Sequence, residues 1–150
     1  MPIEIRQARV TDLDAVARLF DDYRRFYHAA SNLALATAFI GERLRGQDSV
    51  ILMARDGDGV ALGFTQLFPS FSSVGCTRIF VLNDLYVAES CRGRGVGRAL
   101  LAAARSRAQE VGAARLVLET AVDNRAAQVL YESFGFEREA GFLAYALSVA

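Results

Sequence analysis

Between residues 92 and 98 the chain reads Arg92-Gly93-Arg94-Gly95-Val96-Gly97-Arg98, three alternating glycines interleaved with three arginines. Residues of these types at this spacing do the chemistry of holding an anion. Glycine has no Cβ, so the main chain can come close to a ligand. An apolar, strand-like run at 79–87 precedes the loop and a helical pattern follows it. A helix start adds unpaired N–H donors and a partial positive charge. The loop is neither a P-loop, whose G-x-x-x-x-G-K-[ST] string is absent, nor the dinucleotide fingerprint, whose glycine spacing differs. A second constellation is Asn124, Ala127 and Tyr131, which share one face of a helix because 124 and 131 are two turns apart. A third is the pair of carboxylates Asp84 and Glu119, each inside an otherwise apolar strand-like run, where an ionised group must find a partner.

The elements that must position these groups follow from periodicity. Residues 3–8 alternate apolar and polar and read as a strand. Thr11 or Asp12 can cap a helix whose apolar face is Leu13, Val16, Ala17, Phe20, Tyr23 and Tyr27. Ser31 or Asn32 can cap a second, with Ala36, Phe39, Ile40 and Leu44 inward and Gly46 as its stop. A short strand at 49–54 and another at 60–67 flank the hairpin turn Asp56-Gly57-Asp58-Gly59. Within the latter, Gly63 marks a bulge or a close contact, and Pro69 is expected to disrupt or end the strand. A loop at 71–75 leads to the strand 78–87. A helix from Val96 to Val111, closed by Gly112, then precedes a strand at 115–120 that reads as central. The last helix runs from Asn124 to Phe134 with Gly135 as its C-cap, and residues 136–139 and 142–149 read as two more strands split by Gly141. The order β-α-α-β-β-β-α-β-α-β-β defines an α+β fold: a mixed sheet of about seven strands with about four flanking helices.

Length and composition narrow the function. At 150 residues the chain is expected to be one domain, residues 1–150. Lys+Arg and Asp+Glu are both 17, so the net charge is zero. That balance argues against nucleic acid or a membrane surface as partner, either of which needs a basic excess. Arginines concentrated at one loop suit a small polyanion. Cys76 and Cys91 define neither a disulfide framework nor a metal site, and the single His28 excludes a His-rich metal centre. With no secretory signal pattern and no apolar run long enough to span a bilayer, the expected location is cytoplasmic.

The string Arg92-x-x-Gly95-x-Gly97, with Asn124-x-x-Ala127-x-x-x-Tyr131-x-x-x-Gly135-Phe136 one helix and one strand later, closely resembles the GNAT N-acetyltransferase superfamily. The first string matches the family's pyrophosphate loop, (Gln/Arg)-x-x-Gly-x-(Gly/Ala), at all three fixed positions, and the element order is the family's over essentially the whole chain. The resemblance implies a mostly antiparallel sheet that splays open at the cofactor, and acetyl-coenzyme A as that cofactor. It implies a direct transfer of acetyl to a primary amine through a ternary complex. Residues 92–98 would hold the pyrophosphate, mostly by backbone. Asn124 and Ala127 would lie along the pantetheine arm, and Tyr131 would protonate the departing thiolate. A backbone N–H on the strand Leu85-Tyr86-Val87 would polarise the carbonyl. A phenol with a pKa of about 10 stays protonated at neutral pH and can serve as an acid.

An attacking ammonium must first lose a proton, and Asp84 or Glu119 could take it directly or through water. Branches of the family that acetylate polyamines often carry Glu-Asp where this chain has Asn83-Asp84, so polyamine specificity is not implied. Tyr23, Tyr27, His28, Gln66, Phe68, Phe71 and Asn83 are candidates for the acceptor side. The acceptor is expected to be a small amine, with a peptide terminus or lysine as the alternative. The apolar run at 142–147 could form an edge strand that pairs two copies into a homodimer. The rival from another class is a non-catalytic acyl-coenzyme A sensor, which could dispense with Tyr131.

Overall fold

The computed structural model describes residues 2–150, in two compact units that meet in sequence at Glu119 and Thr120. The first unit is built on one sheet whose strands lie in chain order: β1 (Glu4–Gln7), β2 (Val50–Arg55), β3 (Ala61–Ser72), β4 (Thr77–Val87) and β5 (Ala113–Val117). The first three pairings are antiparallel; β4 and β5 are parallel, joined by the crossover helix α3 (Val96–Glu110). Two helices, α1 (Leu13–Phe26) and α2 (Leu33–Gly46), fill the connection from β1 to β2.

Alternation on the strands sorts the core. Ile51, Met53 and Phe64 point to the face where Val16, Leu19 and Phe20 of α1 and Ala36 and Ile40 of α2 bury their side chains. The apolar stripe of α3 (Val96, Leu100, Leu101, Ala104 and Ala108) is also buried. Leu100 packs over Gly63, where an added Cβ would stand 2.6 Å from the Tyr86 carbonyl oxygen and 3.5 Å from Leu100 Cδ1. Gly63 therefore marks a close contact, next to an irregularity where Ala61 rather than Leu62 opposes Arg55.

Local signals fix the helix ends. Asn32 caps α2 by accepting from the Leu35 N–H, and Asp21 ties the turn before it by accepting from Ser31 Oγ at 2.6 Å and the Asn32 N–H at 2.8 Å. Asp12 stands at the N-cap of α1 without a side-chain cap bond. Gly46 does not stop α2; Gln47 does, in the left-handed region at φ 49°. Pro69 does not end β3 either. β2 pairs with β3 only as far as Leu67, so the missing N–H of Pro69 falls where β3 has β4 alone for a neighbour.

The second unit holds α4 (Arg125–Phe134), capped by the Asn124 side chain, which accepts from the Ala127 N–H, and closed by Gly135 at φ 124°. The sheet has five strands among the described residues, where sequence alone suggested about seven. Residues 136–139 and 142–149, expected as strands, form no ladder there, and without inter-strand hydrogen bonds a segment is not a strand. For the same reason β5 is an edge strand, not a central one. No helix of the described residues is long and apolar enough to cross a membrane.

Candidate active site

The end of β4 gathers most of the predicted groups of the first unit. Gln66 pairs with Asp84 and Leu67 with Leu82, so Asn83 is an extra residue, a β-bulge. The bulge reverses the phase of the strand: Leu82 and Asp84, two apart, point to opposite faces of the sheet. Asp84 thereby turns toward the α1 side, where it is 2 % exposed. Its Oδ2 accepts from Gln66 Nε2 at 2.6 Å, and its main-chain carbonyl accepts from Thr65 Oγ1 at 2.7 Å. Among the described residues no ion pair offsets the burial. Desolvation therefore pushes the carboxyl up to about 6, with the Gln66 N–H working in the opposite direction.

The bulge also exposes Asn83, whose carbonyl accepts from Tyr23 Oη at 3.1 Å. Tyr23 links the rest by ring contacts, with centroids 5.1 Å from Tyr27 and 6.4 Å from Tyr86. The Arg92 guanidinium lies 5.5 Å from the Tyr86 ring and 5.8 Å from Phe26, and its Nε donates to the Val87 carbonyl at 3.0 Å. Arg92 thus fastens the loop to the strand end with its side chain.

The strand ladder opens at the same place. β5 pairs with β4 only up to Val81–Val117, while β4 continues through Leu82, Leu85 and Tyr86 to Val87. Val87 turns its carbonyl to Arg92, away from β3, and in an extended strand the N–H of a residue points the way its carbonyl does. Beyond Val87 comes a short 3-10 turn, Glu89–Cys91, then the glycine–arginine loop. Gly93 and Gly95 adopt φ 79° and 80°, which a residue with a Cβ rarely takes, and nothing lies within 4 Å of where a Cβ would stand. Gly95 is the N-cap of α3 and offers no capping side chain, so the first N–H groups of α3 begin uncapped. Val96 is buried, Gly97 half-buried within the first turn, and Arg94 and Arg98 are exposed.

Other predicted residues stand differently. Glu119 is not inside a strand: β5 ends at Val117, and Glu119 is exposed, with no need of a partner. Gln66 is fully buried and occupied by Asp84 and Ser49, so it offers no surface to an acceptor. His28 takes the left-handed conformation just after α1, with Ala29 N–H bonded to Arg24 O and His28 N–H to Arg25 O, a helix-capping arrangement that accounts for its position. Phe68 is half-buried opposite Val81, and Phe71 is exposed opposite Arg78, at the far end of the β3–β4 ladder. In the second unit, the Asn124 side-chain oxygen caps α4, and Tyr131 packs edge-on against Phe136 with centroids 5.7 Å apart. Sequence reasoning missed Ser49 and Thr65; only the strand register brings them to Gln66 and Asp84.

A bulged central strand with an open edge, a glycine loop at the start of the crossover helix and a buried carboxylate at the bulge together define an acyl-transfer scaffold. The chain belongs to the Acetyltransferase (GNAT) family, whose profile matches residues 14–136, and it is an acyltransferase. It is 48% identical over 147 residues to an uncharacterized N-acetyltransferase, YhfO, of Bacillus subtilis (strain 168), covering 98% of both chains. It is 28% identical over 141 residues to the D-amino-acid N-acetyltransferase HPA3 of Saccharomyces cerevisiae, covering 91% of this chain and 86% of the relative. A crystal structure of a probable acetyltransferase superposes with a TM-score of 0.91 at 42% identity, covering 98% of both chains.

Proposed function

We propose that this chain is an acetyl-coenzyme A-dependent N-acetyltransferase acting on a small primary amine. The observation that carries the reading is the buried Asp84 carboxylate beneath the bulge, at the stretch of β4 where the ladder to β5 stops. The residues fit the cofactor: the loop 92–98 has left-handed glycines with open space around them and an uncapped helix start behind them, which suits a pyrophosphate. Bound acetyl-coenzyme A supplies an acetyl thioester. Asp84 takes the proton that the ammonium must lose, directly or through water. The Val87 N–H polarises the carbonyl at the open edge. Tyr131 gives its phenolic proton to the leaving sulfur, while Asn124 and Ala127 line the pantetheine arm. One N–C bond replaces one S–C bond; nitrogen gives up two protons, one to Asp84 before attack and one that restores Tyr131 after its phenolic proton has passed to sulfur. Exposed Asn83, with Tyr23 and Tyr27, faces the acceptor.

A small amine is favoured by the balanced charge, which offers no steering to a basic tail, and by HPA3, a relative named for acting on D-amino acids. The reading also includes a cytoplasmic location and a homodimer in which a second copy covers the apolar residues Leu143, Tyr145, Leu147 and Val149, all at least 80% exposed. The deciding experiment is a thiol-release assay with acetyl-coenzyme A against a panel of amines, amino acids of both hands, and peptides. Turnover on small amines supports the reading. Tight cofactor binding with no turnover on any amine points instead to a sensor.

A further inference from the structure

A buried polar chain runs behind Asp84. Ser49 Oγ donates to Gln66 Oε1 at 2.8 Å, and Gln66 Nε2 donates to Asp84 Oδ2 at 2.6 Å. Exposures are 9 %, 0 % and 2 % along the chain. A glutamine amide has a donor end and an acceptor end, and only the donor end can favour an ionised carboxylate. We propose that Ser49 and Gln66 are positioning residues for Asp84: the Ser49 hydroxyl holds the Gln66 amide so that its N–H meets the Asp84 carboxylate and keeps it charged in a dry site. This rests on the reading of Asp84 as the base.

The remaining surroundings leave Gln66 as the side chain that sets this balance. β3 carries no titratable residue. On β4 the titratable groups are Arg78, at the opposite end of the strand, and Tyr86. On α1, Asp21 is bonded to Ser31 and Asn32 and lies 3.9 Å from Arg24, and Tyr23 donates to the Asn83 carbonyl. On β5, Arg115 sits opposite Ile79, before the bulge. None of them pairs with Asp84. Ser49 lines a cavity of about 470 Å³ beside β1 and the end of α2, so water can reach the outer end of the chain. Gln66 has no such access. A donor polarised by a second hydrogen bond is a stronger donor, so the two residues should contribute unequally and in the same direction.

The test is the titration of the Asp84 carboxyl by carbon NMR in the full chain, assigned by the signal lost in Asp84→Asn, alongside the pH dependence of kcat/KM. Gln66→Met keeps the volume and removes the donor; its Asp84 midpoint should rise by about one pH unit or more. Ser49→Ala should raise it less, and Ser49→Thr should restore it. A wild-type midpoint in Gln66→Met overturns the proposal. If Gln66→Met does not fold, the serine pair decides, an unmoved Ser49→Ala midpoint counting against. The base reading fails separately: if Asp84→Asn leaves the pH–rate profile unaltered while the NMR midpoint moves in Gln66→Met, the positioning chain stands and Asp84 is not the base.

Discussion

Asp84 makes its surroundings measurable at the residue scale. Its carboxyl is raised from 3.8 to about 6 by burial, against the pull of the Gln66 N–H. The folded chain therefore holds this proton more tightly than the unfolded chain does. The associated stability is full below about 3.8 and is lost as pH rises through about 6, a change of about 3 kcal/mol. Urea denaturation at several pH values should show this loss in the wild type and not in Asp84→Asn. The same substitution should remove the rise in kcat/KM centred near pH 6 if Asp84 is the base, since the carboxyl must be ionised to accept a proton. Tyr131→Phe should lower kcat by about 10²–10⁴ while leaving the affinity for acetyl-coenzyme A nearly intact. Steady-state kinetics with calorimetric binding separates the two, and unchanged turnover would assign the proton to another donor.

Elements decide which of these residues meet. Gly63 lets β3 lie against the end of β4; a methyl there would stand 2.6 Å from the Tyr86 oxygen and 3.2 Å from Val87 Cα. Gly63→Ala should therefore cost about 1–3 kcal/mol in urea denaturation, and should lower turnover by disturbing the open edge. Gly95→Asp should abolish binding of coenzyme A while the chain stays folded, because a side chain and a negative charge enter the loop at a left-handed position. Calorimetry with coenzyme A and circular dichroism test the two halves of that statement. Much of this architecture was legible in the chain: the glycine loop, the Asn124 cap, the close contact at Gly63 and the helices all announce themselves by local pattern. The bulge at Asn83 did not, because an extra residue in one strand is defined only by its partner. Ser49, Thr65 and Gln66 are brought to Asp84 by the same register. Pro69 misled because proline is a strand breaker only where a neighbour needs its N–H, and Glu119 misled because β5 is shorter than its apolar run.

At the scale of the whole molecule, the familial identity covers residues 14–136, and the residues beyond carry an exposed apolar segment instead of the two expected strands. If a second copy covers that segment, light scattering should give a dimer for the full chain and a monomer for a chain ending at Gly141. A monomeric full chain would remove the dimer from the reading. The interruption of the ladder past Val81–Val117 also has a dynamic consequence. A backbone amide without a hydrogen-bond acceptor trades its proton for solvent deuterium far faster than a paired one. Along the last residues of β4 the exchange rates should therefore alternate, slow for amides directed at β3 and fast for those on the open side, Val87 among them. Adding coenzyme A or an acylated analogue should slow the fast set alone, giving a map of cofactor contact along the strand that needs no turnover and no knowledge of the amine.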